Sequence, residues 1–309
     1  MTASRSWGQR IAYGCWWGVI QVLSRIPIWG LYRLSDGLFL LIYGGLGYRK
    51  KVVYDNLRQC FPDWEEAELH QQTRRFYRHF CDVIVETIKS FSISDQALAK
   101  RVELVNPEIA EDILAQPGGS LLLASHYGNF EWMCARLDLM SRGRIPTYAV
   151  YNPFSSQVFD DLITWMRQRR GLKMRPMRYA MIDALRTMRE VSLYGFIFDQ
   201  SPHRGGPLYF SEFLGRPTAF HTSVAKLALR AKARVYYADV EKVGRGRYRV
   251  ELKILDPMEF LPATKEHVHA FTDLQIQALQ QTIERDPAFW LWSHKRWKLK
   301  PDRFVSEKE

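Results

Sequence analysis

The stretch SHYGNFEW, residues 125–132, follows the apolar run SLLLA and places His126, Gly128, Asn129 and Glu131 at its end. A histidine there can take a proton from a hydroxyl through one ring nitrogen. A carboxylate on the other nitrogen would fix the tautomer and support the imidazolium. A base positioned in this way contributes ~10²–10⁴ in rate. The spacing offers Glu131 as that carboxylate, folded back onto the ring by a bend at YGN. Gly128 allows a positive φ or a close approach of backbone to substrate, and the N–H groups of a helix start suit an oxyanion. A purely structural, hydrogen-bonded His126 fits the same spacing. No G-x-S-x-G occurs in the chain, which argues against a serine nucleophile of the α/β-hydrolase kind. None is needed if the acceptor hydroxyl itself attacks an activated acyl thioester.

Such a turn must be held by a strand and a helix. SLLLAS (120–125), IPTYAVY (145–151), VSLYGFIF (191–198) and ARVYYADV (233–240) read as buried strands. FEWMCARLDLM, SQVFDDLITWMRQR, YAMIDALRTMR and HTSVAKLALRA read as helices between them. The alternation predicts an α/β fold, with a mostly parallel central sheet flanked by helices. RYRVELKIL (247–255) is expected to pair antiparallel through a hairpin at VGRGR, with a late helix over 264–285. His126 then lies where chemistry gathers in open α/β sheets, at the carboxyl end of a strand. Upstream, residues 63–91 predict a long helix, capped by Asp63 with Glu66 three positions later. Its stripe of Leu69, Phe76, Phe80, Val83, Ile84 and Ile88 is expected to face the core.

The totals narrow the partners. Lys+Arg 44 against Asp+Glu 33 gives +11 over 309 residues, which favours an anionic partner. Arginines and aromatics interleave in RRFYRHF and HKRWKLK, but no RNP, KH, zinc-finger or helix-turn-helix pattern accompanies them, so no nucleic acid is expected. The four cysteines are widely spaced and contain no C-x-x-C, which points to a reducing compartment rather than a disulfide scaffold. His267 and His269 diverge on a helix, so no metal is expected. Residues 11–23 are apolar but too short to span a bilayer. Residues 26–48 are long enough but carry Arg33 and Asp36, which could pair at i, i+3, and RKK at 49–51 closes the region. We read residues 1–50 as a membrane-embedded or interfacial helical anchor, with one spanning helix or a buried hairpin as alternatives, and residues 51–309 as the α/β domain.

SHYGNFEW resembles the H-x4-D/E motif of glycerolipid acyltransferases, and its H-x-G-N-x-E form is similar to the late acyltransferases of lipid A biosynthesis, the lauroyl/myristoyl transferase family. RKKVVYDNLRQCFP (49–62), YNPFSSQVFDDLITWMRQRRG (151–171), LYGFIFDQSPHRGGPLYFSEFLGRPTAFHTSVAKLA (193–228) and WLWSHKRWK (290–298) resemble further blocks of that family, in the same order. The resemblance covers residues 10 to 303. It implies an enzyme on the cytoplasmic face of a bacterial inner membrane. That enzyme moves a fatty acyl group from acyl carrier protein, or less readily from coenzyme A, to a hydroxyl of a phosphorylated glycolipid, with no further cofactor. His126 and Glu131 match the catalytic pair. Arg175 in KMRPM matches an arginine suited to phosphate or carrier groups. Asp199, at the end of GFIF, matches an aspartate that would orient Arg175 or the acceptor. Gly128 and Asn129 would contact substrate, and Gly215 and Pro217 would shape a wall of the cleft. DQSP (199–202) departs from the family's commonest form, which leaves the acceptor open to another polar lipid, such as a lysophospholipid or a glycosylated inositol lipid.

Overall fold

The structure, a computed structural model, describes residues 6–202 and 208–301. Residues 203–207, inside the fourth block of the resemblance, lie outside the described residues. Eleven α-helices and nine strands are described: α1 Trp7–Arg25, α2 Ile28–Phe39, α3 Lys50–Cys60, α4 Glu66–Lys89, α5 Asp95–Arg101, β1 Val102–Leu104, α6 Glu108–Ala115, β2 Ser120–Ala124, α7 Phe130–Ser141, β3 Thr147–Tyr151, α8 Gln157–Gln168, β4 Lys173–Pro176, α9 Met177–Thr187, β5 Leu193–Ile197, β6 Leu208–Phe213, β7 Arg216–His221, α10 Ser223–Ala231, β8 Val235–Gly244, β9 Arg247–Leu255 and α11 Lys265–Arg285.

Seven strands form one sheet in the order β1-β9-β8-β2-β5-β3-β4, and every pairing except β8 with β9 is parallel. The expected sheet and its antiparallel hairpin are therefore present. All five residues of β2 are buried, which is why this central parallel strand reads as an unbroken apolar run. β9 instead alternates buried and exposed residues. A second, two-stranded sheet of β6 and β7 turns at Leu214 and Gly215, both at positive φ. Gly215 thus serves a hairpin turn, and Pro217 sits within β7.

The register between β2 and β5 sets the geometry of the site. Ala124 lies beside Ile197. Two residues further on, His126 and Asp199 leave adjacent strands, about 4.8 Å apart, at the same edge of the sheet.

Upstream, Pro27 divides the apolar N-terminal region. A residue before proline is driven out of the helical conformation, and Ile26 has φ −56° and ψ 134°. α1 and α2 are therefore separate helices, and α2 runs on into a π-helical segment, Leu40–Leu46. Among the described residues no helix is long and apolar enough to cross a membrane. Asp36 pairs with Arg245 of the β8–β9 turn at 2.8 Å, so the pairing expected between Arg33 and Asp36 gives way to a tertiary one. α4 begins at Glu66, after Glu65, and Asp63 does not cap it.

Candidate active site

The turn after β2 is fastened through its backbone and side chains alike. Gly128 has φ +60°, and a Cβ there would stand 3.0 Å from Val240 Cγ1, so glycine is required for both conformation and space. Its N–H donates to Phe289 O at 3.0 Å. Its carbonyl accepts from Nε2 of buried His79 at 3.2 Å. Asn129 caps α7 by accepting from the Trp132 N–H at 2.9 Å, while its amide donates to Glu86 at 2.7 Å. Two N–H groups of this turn and helix start, those of Gly128 and Trp132, are thus already bonded within the protein.

His126 is held by Asp199. The ring Nδ1 lies 2.7 Å from Oδ1, and the His126 backbone N–H donates to Oδ2 at 2.8 Å. The indole N–H of Trp290 donates to the same Oδ2 at 2.7 Å. Burial alone would push the Asp199 carboxyl up. The His126 charge and the hydrogen bonds from His126 and Trp290 outweigh it and hold the carboxyl below its usual range. An ionised, acceptor-only Asp199 accepts a hydrogen bond from the proton carried on Nδ1, so Nε2 is the ring nitrogen turned away from it. The Gln200 amide approaches Nε2 at 3.3 Å.

That ring also forms part of the wall of an apolar cavity of about 450 Å³. Trp16, Val19, Ile20 and Leu23 of α1 line one side. Phe76, Phe80, Val83, Ile84 and Ile88 of α4 line another, together with Phe159, Leu162 and Ile163 of α8. Five of the six α4 stripe residues expected in the core, all but Leu69, thus line this void. Gly128, Phe130, Phe289 and Trp290 complete the end beside His126. A greasy chamber ending on an oriented imidazole can hold a long alkyl chain with its reactive end at a base.

The family model for the bacterial lipid A biosynthesis acyltransferases matches residues 3–299. The chain belongs to this family. The lipid A biosynthesis lauroyltransferase of Escherichia coli (strain K12) is 26% identical over 288 residues, covering 92% of this chain and 90% of that protein. The palmitoleoyltransferase of lipid A biosynthesis from the same organism is 23% identical over 287 residues, with 92% and 90% covered. The lipid A biosynthesis acyltransferase of Shigella flexneri matches at the same identity and coverage.

In this acyltransferase the remaining expected residues fall in different places. Glu131 is in the first turn of α7, as expected, but its carboxylate does not serve the His126 ring. It is buried in a two-pronged pair with Arg167 of α8, at 3.0 Å from Nε and 2.5 Å from Nη2. The helix start turns the side chain toward α8, and Asp199 takes the ring instead. The Glu131–Arg167 pair therefore fixes α8, which carries one cavity wall, to the helix that follows His126. Arg175 lies in β4, three strand spacings from β2, on the order of 14 Å. Its guanidinium stacks 4.8 Å over the Tyr148 ring and lies 3.9 Å from Asp183, so Asp199 does not orient it. Asn129 is 1% exposed and bonded inward at both ends of its amide, a support for the turn rather than a substrate contact. Gly128 does reach the cavity.

Residue reasoning alone missed the Asp199–His126 contact, together with Trp290, Gln200 and Arg167. One signal was present: GFIFD and LLLASH are buried strands that end in polar residues. Pairing them requires the sheet order, which no local pattern contains. His294 stays outside the reactive contacts; its Nε2 accepts from the Ser201 N–H at 3.1 Å, and burial brings its pKa down to about 4.

Proposed function

We propose that this chain transfers a fatty acyl group from acyl carrier protein to a hydroxyl of a lipid A-type phosphorylated glycolipid, with His126 as general base and Asp199 as the residue that orients it. The observation carrying this reading is the apolar cavity whose wall includes His126. The acyl chain lies in the cavity, gaining ~0.8 kcal/mol per buried CH₂, and this places the thioester carbonyl by the ring. Nε2 takes the acceptor hydroxyl proton as its oxygen attacks that carbonyl. Asp199 supports the imidazolium. Collapse of the tetrahedral adduct breaks the C–S bond, and the imidazolium returns the proton to the leaving thiolate. Ester and free thiol result, and the base is restored.

The donor and acceptor assignments rest on the family and on charge. An acidic carrier and a phosphorylated glycolipid both suit a +11 chain. Residues 1–50 are read as the membrane-attaching segment. Trp7, Val22, Trp29, Leu40 and Leu46 are 69–80% exposed, and such clustered apolar exposure marks a partner surface. α1 and α2 would lie in the interface plane rather than span it. Arg49, Lys50 and Lys51, also exposed, would add ~1 kcal/mol each on an anionic leaflet. The free cysteines suit the cytoplasmic face of the inner membrane.

The test is acyl transfer by the purified full chain, with labelled acyl carrier protein and a phosphorylated lipid A precursor as substrates. His126→Ala and Asp199→Asn are each expected to lower kcat ~10²–10⁴-fold with the fold retained by circular dichroism. Undiminished turnover in His126→Ala would remove the mechanism. Acylation of a lysophospholipid but not of the lipid A precursor would replace the acceptor.

A further inference from the structure

Glu86 of α4 is wholly buried, yet no step of the proposed reaction uses it. Its carboxylate receives three donors from three parts of the chain. The Tyr32 hydroxyl of α2 donates to Oε1 at 2.8 Å. The Asn129 amide of the turn donates to Oε2 at 2.7 Å, and the Tyr248 hydroxyl of β9 donates to the same oxygen at 2.8 Å. The Glu86 backbone carbonyl also accepts the Trp132 indole N–H at 3.0 Å. Since Asn129 Oδ1 is spent on capping α7, a shift of Glu86 must move the amide and with it the turn that carries His126.

Tyr32 links this carboxylate to the surface. It lies on α2, the helix that exposes Trp29 and Leu34. A second observation, independent of the hydrogen bonds, concerns the β8–β9 turn. There Gly246 has φ +65°, and a Cβ on it would come within 1.8 Å of the Tyr32 hydroxyl. The hairpin therefore has room for that hydroxyl only because residue 246 has no side chain.

We propose that Tyr32 and Glu86 are positioning residues through which α2 sets the pose of Asn129 and of the His126–Asn129 turn, so that seating α2 on a lipid surface is felt at the general base. The inference rests on the proposed function for the roles of that turn and of the lipid surface, but its first readout does not depend on acyl transfer.

The experiment compares full-length wild type, Tyr32→Phe and Ser35→Ala in detergent micelles. Ser35 lies on the same helix, and its hydroxyl donates to Asp82 of α4 at 2.7 Å. It therefore reports a general loosening of α2. Amide hydrogen exchange over residues 126–132 is expected to speed up about tenfold in Tyr32→Phe, the effect of losing one buried hydrogen bond, and to stay at the wild-type rate in Ser35→Ala. In the transfer assay Tyr32→Phe should lower kcat by a similar factor and leave the donor KM unchanged. Wild-type exchange in Tyr32→Phe, or equal acceleration in Ser35→Ala, overturns the coupling. Faster exchange in Tyr32→Phe alone, in a chain whose wild type transfers no acyl group, upholds the coupling and overturns the proposed function instead.

Discussion

Val22, Trp29 and Leu40 in the N-terminal helices are 69%, 71% and 69% exposed, whereas Leu121, Leu123 and Tyr194 in the sheet are fully buried. Both sets are large and apolar, and burying any of them would be worth about 1.5–3 kcal/mol. The sheet gains that free energy from its own helices. The N-terminal helices leave it available to another apolar phase. α1 connects the two regions, because Trp16 and Val19 are half-exposed and also line the cavity. Hydrophobicity alone therefore does not say what a residue packs against; its place in the fold does.

This contrast can be broken most severely from the interior. Glu131→Ala would leave the Arg167 guanidinium buried without its partner, at a cost of about 3–5 kcal/mol. Urea unfolding would show it, and transfer activity should fall in step with the folded fraction. The cavity offers a finer test. Ile84→Trp should shorten the preferred acyl chain, with about 0.8 kcal/mol of binding lost per methylene excluded. Competition between acyl donors of different length measures this directly.

Acid sharpens the comparison, because no histidine precedes His70 in the sequence. Burial holds His79 well below the usual imidazole range and His294 at about 4. In the unfolded chain both take up protons near pH 6.5. The folded state binds fewer, so stability is expected to fall as pH drops from about 6.5 toward 4. Melting temperatures recorded across that window should slope downward with acid, and His79→Gln or His294→Gln should each flatten the slope. The smallest effect on stability belongs to the outer face. Trp29→Ala with Leu40→Ala should change unfolding free energy by no more than about 0.5 kcal/mol, while co-sedimentation with anionic vesicles declines clearly.

Local pattern reached five strands of the main sheet but not the short β1 and β4, and it reached the β8–β9 hairpin, the place of His126 at the mouth of β2 and the helical start at Glu131. Each of these depends on contacts close in sequence or on an apolar period. The partner of His126 depends instead on a strand register joining residues 73 positions apart, and Glu131 found Arg167 across two helices. Periodicity identified the apolar face of α4 but could not distinguish packed core from cavity wall, since both demand the same side chains. The hairpin of β6 and β7 went unread because its strands lie inside a block taken whole from a resemblance.

The shared wall of the cavity has a practical consequence. Trimming the chain after Arg25 would strip away Trp16, Val19, Ile20 and Leu23 together. The apolar cavity beside His126 would then stand open along one flank, flooded by solvent. In this protein the part that looks most like a disposable tether is also carpentry for the chamber behind it.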